Sequence, residues 1–326
     1  MYNSGNNKSS LLPEFEKDLA EENLLETINQ HLAEIEPQDR LPSEQHSTIF
    51  IVGSPRSGTT LASQIVASEF DVSFVNSVAA AFYLSPTIGL RLANKLLGTT
   101  FYSSFESRYA RSSDVTEPHE FGYFWAHHLG YKHLMQPSAC EIEKIEWEKL
   151  DRVLWNMAAV SGRNFLFKPL MAVWYIREFL KNIPSCYFIR IRRDPVQVAA
   201  SILKMRMDMT GSYNSWVSLR PACYGRMSGS HPYEQVAAQV AAIECELEQH
   251  EGNARVLVVE YDKLCSDMDS VLDDIGSRTP LVMRSDCSDS RSVNRSIERR
   301  SHNRSDLPNF KFLEQCVEDA FLESRM

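Results

Sequence analysis

Ile49-Phe50-Ile51-Val52-Gly53-Ser54-Pro55-Arg56-Ser57-Gly58-Thr59-Thr60 is the stretch whose reading decides the fold. The apolar run Ile49 to Val52 reads as a buried strand. It enters a tight Gly-bearing turn and then a helix, Leu61 to Glu69. Strand, turn and helix in that order point backbone N–H groups and a helix N-terminus at an anion. Gly53 and Gly58 have the G-x-x-x-x-G spacing of a phosphate-binding loop. Thr59, however, stands where a loop built for ATP carries its lysine. The cation here is Arg56, inside the turn. The loop therefore suits a phosphate-like group, but not the β/γ-phosphates and Mg²⁺ of ATP.

A second anion motif lies further along. Cys186 to Ile191 reads as a strand, followed by Arg192-Arg193-Asp194-Pro195 and a helix that contains Ser201. Pro195 fits the first turn of a helix, where its missing N–H costs nothing. Arg193 ends the strand, and Ser201 lies eight residues later, just over two helical turns on. A guanidinium and a hydroxyl so placed suit a second phosphate. Arg192, beside them, reads as a surface ion-pairing residue. Two anion sites at two strand ends imply a ligand with phosphate groups at both ends.

The rest of the chain fits one α/β enzyme. It has 326 residues, with hydrophobic residues at 43% and charged residues at 24%, ordinary globular values. Short apolar strands are expected at 48–53, 72–76, 164–168, 186–191 and 255–259. Helices are expected at 60–69, 78–96, 119–130, 144–160, 172–181, 195–208, 233–250, 264–275 and 310–323. This alternation predicts a P-loop-like, doubly wound parallel sheet with helices on both faces, and ligands at the carboxyl ends of the strands. Residues 1–45 read as a peripheral helical extension and linker, broken by Pro37 and Pro42, and 46–326 as the main domain. A net charge of −9 speaks against a nucleic-acid partner. No apolar stretch approaches the ~20 residues of a transmembrane segment. Met1 to Ser10 is polar, without the apolar core of a secretion signal. Seven irregularly spaced cysteines without a C-x-x-C pair read as reduced thiols. A cytoplasmic location is the expectation.

These motifs together resemble the sulfotransferases that use 3′-phosphoadenosine 5′-phosphosulfate (PAPS). Pro55-Arg56-Ser57-Gly58-Thr59-Thr60 is similar to that family's loop for the 5′-phosphosulfate. Arg193-Asp194-Pro195 with Ser201 is similar to its 3′-phosphate site. Asn164 to Pro169, with Lys168, resembles a lysine-bearing strand of the tyrosylprotein and carbohydrate sulfotransferases. Val258-Val259-Glu260-Tyr261 with Leu264 resembles the last core strand, so the likeness spans roughly residues 46 to 310. The resemblance implies that PAPS is the co-substrate and that no metal is needed. It also implies that Arg56 and Lys168 steady the leaving phosphate, while Ser57, Gly58, Thr59 and Thr60 cradle the 5′ end. The acceptor would be a hydroxyl or amine of a small molecule, carbohydrate or lipid.

Sulfuryl transfer also needs a base for the acceptor proton. Tyrosylprotein-type members place a glutamate shortly after the strand that follows the phosphosulfate helix. The comparable stretch here, Phe74-Val75-Asn76-Ser77, has no acid. The candidates are Glu117, His119 and Glu120, in Thr116-Glu117-Pro118-His119-Glu120-Phe121-Gly122-Tyr123-Phe124-Trp125, with Glu117 preferred. His127 and His128 read as a polar patch on a helix. Phe82, Tyr83, Phe101, Tyr102, Phe105, Tyr109, Tyr123, Phe124 and Trp125 divide between core and acceptor pocket. Arg291, Arg295, Arg299, Arg300 and Arg304 read as a solvated loop or a lid over the 3′-phosphate.

Two other readings stay open, a P-loop kinase and a non-catalytic binding protein on the same scaffold. Thermal-shift measurements separate the first. Adenosine 3′,5′-bisphosphate is expected to raise the melting temperature, with ATP–Mg²⁺ inert, and Arg56→Ala and Arg193→Ala are each expected to weaken that response.

Overall fold

The computed structural model describes residues 11–98, 107–108, 111–112, 114–284 and 307–325. Its strands are β1 (Thr48–Val52), β2 (Val72–Phe74), β3 (Ser107–Arg108), β4 (Arg111–Ser112), β5 (Asn164–Phe167), β6 (Cys186–Arg192) and β7 (Val256–Glu260). β1 sits at the centre of a five-stranded sheet in the order β2-β5-β1-β6-β7, and β3 and β4 form a separate antiparallel ribbon. Every pairing in the large sheet is parallel. The sheet is therefore the doubly wound, P-loop-like arrangement that the alternation of strands and helices predicts.

Side-chain alternation explains why the sheet is covered on both faces. Phe50, Val52, Phe165, Phe167 and Phe188 point to one face, where Trp125, Leu150, Met157 and Phe179 meet them. Phe50 stacks on Phe188 with ring centroids 5.0 Å apart, and it touches Phe179 at 4.7 Å. Ile49, Ile51, Leu166, Ile189, Ile191, Leu257 and Val259 point the other way. They pack on Ala62, Ile65 and Val66 of the helix Thr59–Glu69, and on Leu264, Leu272 and Ile275. Each fully buried Phe or Ile contributes about 2 kcal/mol of transfer free energy. A third cluster joins the helices Pro195–Thr210, Pro232–Glu248 and Phe310–Ser324 through Ile202, Val236, Val240 and Leu313.

Several element bounds differ from expectation, each for a local reason. The helix expected over 78–96 is two helices, Ser77–Ala80 and Pro86–Leu97, because Pro86 can open a helix but not continue one. The helix expected over 264–275 is also two, Tyr261–Ser266 and Met268–Arg278. The start expected at His119 moves to Gly122, since Phe121 adopts a left-handed φ of 55°. That shift keeps His119 and Glu120 in irregular backbone. The Arg291–Arg304 run and Phe101, Tyr102, Phe105 and Tyr109 lie outside the described residues.

Residues 11–45 pack closely on the sheet domain. Asp18 caps the helix Leu19–Leu32, accepting from Ala20 N and Glu21 N. Fully buried Asn29 donates to the Ala81 carbonyl at 2.7 Å and accepts from Leu84 N at 2.9 Å. Glu36, also buried, accepts from Thr87 N and Oγ1 at the start of the helix Pro86–Leu97. Fully buried Asn156 accepts from Leu41 N at 2.8 Å and donates to the Asp39 carbonyl at 2.9 Å. Asn156→Ala would leave two backbone groups unpaired and is expected to lower the unfolding free energy by about 2 kcal/mol. Urea denaturation followed by circular dichroism measures that loss.

Candidate active site

The loop after β1 is shaped by close packing. A β-carbon on Gly53 would lie 2.5 Å from Ser57 Oγ and 2.7 Å from the Ile191 carbonyl. Ser57 N closes the turn on the Ser54 carbonyl at 3.0 Å. Gly58 has φ 107°, and a β-carbon there would lie 2.4 Å from the Tyr261 ring. Only glycine meets both conditions without displacement. Arg56 has φ 71°, a left-handed conformation that costs a non-glycine residue on the order of 1 kcal/mol. Ser57 Oγ is fully buried and has no hydrogen-bond partner among the described residues. A buried orphan hydroxyl in such a loop suits a bound anion, because leaving it unpaired carries a desolvation cost.

The second motif touches the first. Arg193 Nη1 donates to the Arg56 carbonyl at 2.9 Å. Arg56 Nε donates to Ser201 Oγ at 3.1 Å, and Ser201 is buried in the helix Pro195–Thr210. Asp194 caps that helix by accepting from Val196 N and Gln197 N. The Arg193 guanidinium also stacks on the Tyr261 ring, 4.4 Å from its centroid. Tyr261 thus packs against both Gly58 and Arg193. In the sequence Tyr261 reads only as part of the last core strand. The signal for its role was Gly58 itself, since a glycine that must be glycine implies a close neighbour.

Lys168 follows β5 and is 3% exposed, yet it reaches the loop. Its Nζ lies 3.2 Å from Thr60 Oγ1 and 3.2 Å from Glu120 Oε1. The segment bearing Glu120 crosses the end of β2. His119 N donates to the Val75 carbonyl at 2.7 Å, and Ser77 N to the Val115 carbonyl at 3.0 Å. An acid therefore stands near the end of β2 although Phe74 to Ser77 has none. Asn76 instead caps the helix Ser77–Ala80.

The three candidate bases occupy different settings. Glu117 is 1% exposed, and its Oε2 accepts from Gln64 Nε2 at 3.1 Å. That burial keeps its carboxylate from an incoming acceptor. His119 is exposed at the rim, and its Nδ1 accepts from Phe121 N at 2.9 Å. Its pKa is lowered by desolvation from the crowding protein, opposed by Glu120 and aided by the Lys168 and Lys17 charges. A neutral ring whose Nδ1 accepts carries its proton on Nε2, and is a donor there. Glu120 is half-buried and paired with Lys168. Of the three, Glu120 combines access with a cation joined to the loop.

A family model described as the sulfotransferase family matches residues 48–281. The chain belongs to the sulfotransferase family. The match covers all five strands of the large sheet, the glycine loop, Lys168, Arg193 and Ser201. By fold, this family member is similar to the sulfotransferase STF1 of Mycobacterium tuberculosis H37Rv. The TM-score is 0.52 at 12% identity, over 92% of this chain and 82% of that one. It is likewise similar to the sulfotransferase STF9 of Mycobacterium avium. There the TM-score is 0.51 at 13% identity, over 92% and 81%. At such identities the likeness shows the fold alone. No curated protein matches the sequence.

The remaining expected residues sort by burial. Phe124 and Trp125 are core, in edge-to-face contact at 4.9 Å. Tyr83 and Tyr123 are half-buried with rings 5.3 Å apart. His128 packs on Phe124 at 4.4 Å, and desolvation pushes its pKa down to about 3. Arg192 pairs with Glu251 and Glu260. Among the described residues, no group of three His, Cys, Asp or Glu side chains could hold a metal ion. No described helix is long and apolar enough to cross a membrane. Gly58→Ala is expected to cost about 2 kcal/mol or more of unfolding free energy, through φ strain and the displaced Tyr261 ring. Urea denaturation checks the cost, and a Tyr261→Ala background is expected to relieve only the steric part.

Proposed function

We propose that this protein moves a sulfuryl group from PAPS to a hydroxyl or amine of a small-molecule, carbohydrate or lipid acceptor. The observation that carries the reading is the contact between the two anion motifs, Arg193 on the Arg56 carbonyl at 2.9 Å. A donor with phosphate at both ends needs two cationic clasps close together, and that contact supports the reading by bringing the two motifs side by side. Buried Ser57 Oγ, the glycine-shaped turn and the start of the helix Thr59–Glu69 suit the 5′ end. Arg193 and Ser201 suit the 3′-phosphate.

In this reading Glu120 replaces Glu117 as the preferred base. Glu120 accepts the acceptor's proton at its carboxylate as the oxygen or nitrogen attacks sulfur. Lys168, 3.2 Å from both Glu120 Oε1 and Thr60 Oγ1, stands between the base and the loop. Its ammonium, with Arg56, favours the negative charge that grows on the bridging oxygen. Sulfuryl transfer shares with phosphoryl transfer a loose transition state, so holding the groups in line supplies most of the rate. His119, with Nδ1 engaged by Phe121 N, serves as a hydrogen-bond donor at the rim.

The test combines turnover with binding. With PAPS and a panel of hydroxyl and amine acceptors, wild-type protein is expected to release adenosine 3′,5′-bisphosphate. Glu120→Gln is expected to lower kcat by about 10²–10³-fold, the range of general-base catalysis. Its affinity for adenosine 3′,5′-bisphosphate should stay within about twofold of wild type. Wild-type turnover in Glu120→Gln would overturn the assignment of the base.

A further inference from the structure

A buried ionic network lies beneath the loop, outside the groups used above. Ser54, fully buried in the loop, donates its hydroxyl to Glu244 Oε1 on the helix Pro232–Glu248. Glu244 Oε2 accepts from Arg190 Nη2 at 2.7 Å. Arg190 lies in β6 and is 1% exposed; Glu244 is 3% exposed. Arg190 Nη1 also pairs with Glu251, and Glu251 reaches Arg192 at 3.1 Å. One carboxylate therefore ties the loop after β1 to the strand that carries Arg193 at its end.

Packing alone does not account for this arrangement. A carboxylate and a guanidinium at such depth forfeit hydration, and apolar residues of similar size commonly serve as well or better for stability. Burial raises the Glu244 pKa, with the Ser54 and Arg190 contacts opposing and Glu248 adding to the rise. The cost falls where geometry matters most. Ser54 is the first residue of the turn closed by Ser57 N, and Arg56 inside that turn holds a left-handed φ. An anchored Ser54 limits how that turn can relax.

We propose that Glu244 is a positioning residue for the donor. Through Ser54 it holds the loop in its anion-binding form, and through Arg190 it sets the loop against the strand that presents Arg193. It touches neither donor nor acceptor. The inference rests on the PAPS reading above and goes beyond it, since it assigns a role to a helix remote in sequence from both anion motifs.

Isothermal titration of the full chain with adenosine 3′,5′-bisphosphate tests it. Ser54→Ala removes one hydroxyl and leaves the Glu244–Arg190 pair, so it tests the loop without unpairing a buried charge. Ser54→Ala and Glu244→Gln are each expected to weaken binding about tenfold or more. The double variant is expected to match the worse single one, because the Ser54–Glu244 contact is lost in both singles. Glu36→Gln removes a buried carboxylate whose hydrogen bonds go to Thr87 and not to the loop. It is expected to lower the melting temperature with affinity unchanged, which separates positioning from general stability. Ser54→Ala binding within twofold of wild type, or effects that multiply in the double variant, would overturn the proposal. Wild-type protein that fails to bind would instead sink the PAPS reading, and this inference with it.

Discussion

The parallel register of β5, β1 and β6 is the constraint on which the site depends. Phe50 pairs with Phe167 on one side and with Phe188 on the other. That register brings the chain out of three adjacent strands at nearly one level. Gly53 then opens the loop, Lys168 follows β5, and Arg193 follows β6. A one-residue slip of any strand would reverse its faces, pulling phenylalanines from one core and isoleucines from the other. The apolar alternation that holds the sheet therefore also sets the heights of three cations. The order β2-β5-β1-β6-β7 puts the crevice at the end of β1, where the flanking connections part in opposite directions.

Much of this was legible in the residues because the fold-determining signals are local. A run such as Ile49–Val52 before Gly53, or Cys186–Ile191 before Arg193-Asp194-Pro195, carries strand, turn and helix start within a dozen positions. What escaped was non-local. Glu120 comes near the end of β2 through a hydrogen bond from His119 to Val75, a contact no spacing encodes. Glu117 precedes a proline in an extended stretch, which says nothing about burial against Gln64. Tyr261 reads as the end of a strand, and only the packing on Gly58 reveals what it supports. Residues 11–45 look peripheral by composition, yet Asn29, Glu36 and Asn156 bind them to the domain through buried hydrogen bonds.

The loop combines features that are individually unfavourable. Arg56 holds a left-handed φ, Ser57 Oγ is buried without a partner among the described residues, and Glu244 and Arg190 are buried charges. Each costs on the order of 1 kcal/mol or more, and they cluster within one turn, the helix beneath it and the neighbouring strand β6. Strain of this kind persists where surrounding packing over-determines the geometry. Here the determinants are the Tyr261 ring on Gly58, the Arg193 donation to the Arg56 carbonyl and the Ser54–Glu244 contact. A bound anion would relieve part of the cost, by pairing the Ser57 hydroxyl and by placing charge against the guanidinium groups. In the proposed reading a loop held by these contacts loses little binding energy to reorganisation.

The same logic bears on where a base can come from. The carboxyl end of a parallel strand leaves backbone carbonyls without a sheet partner, and any segment that donates to them is held beside the crevice. At β2 the carbonyl of Val75 takes His119 N, and the Glu120 side chain follows one residue later. An acid on the strand's own continuation and an acid on a docked segment can thus reach similar places. The identity of the base is then a property of which chain segment satisfies that carbonyl. In the proposed reading Lys168 favours Glu120 for that role, since a buried ammonium 3.2 Å from Thr60 Oγ1 and 3.2 Å from Glu120 Oε1 stabilises a carboxylate there.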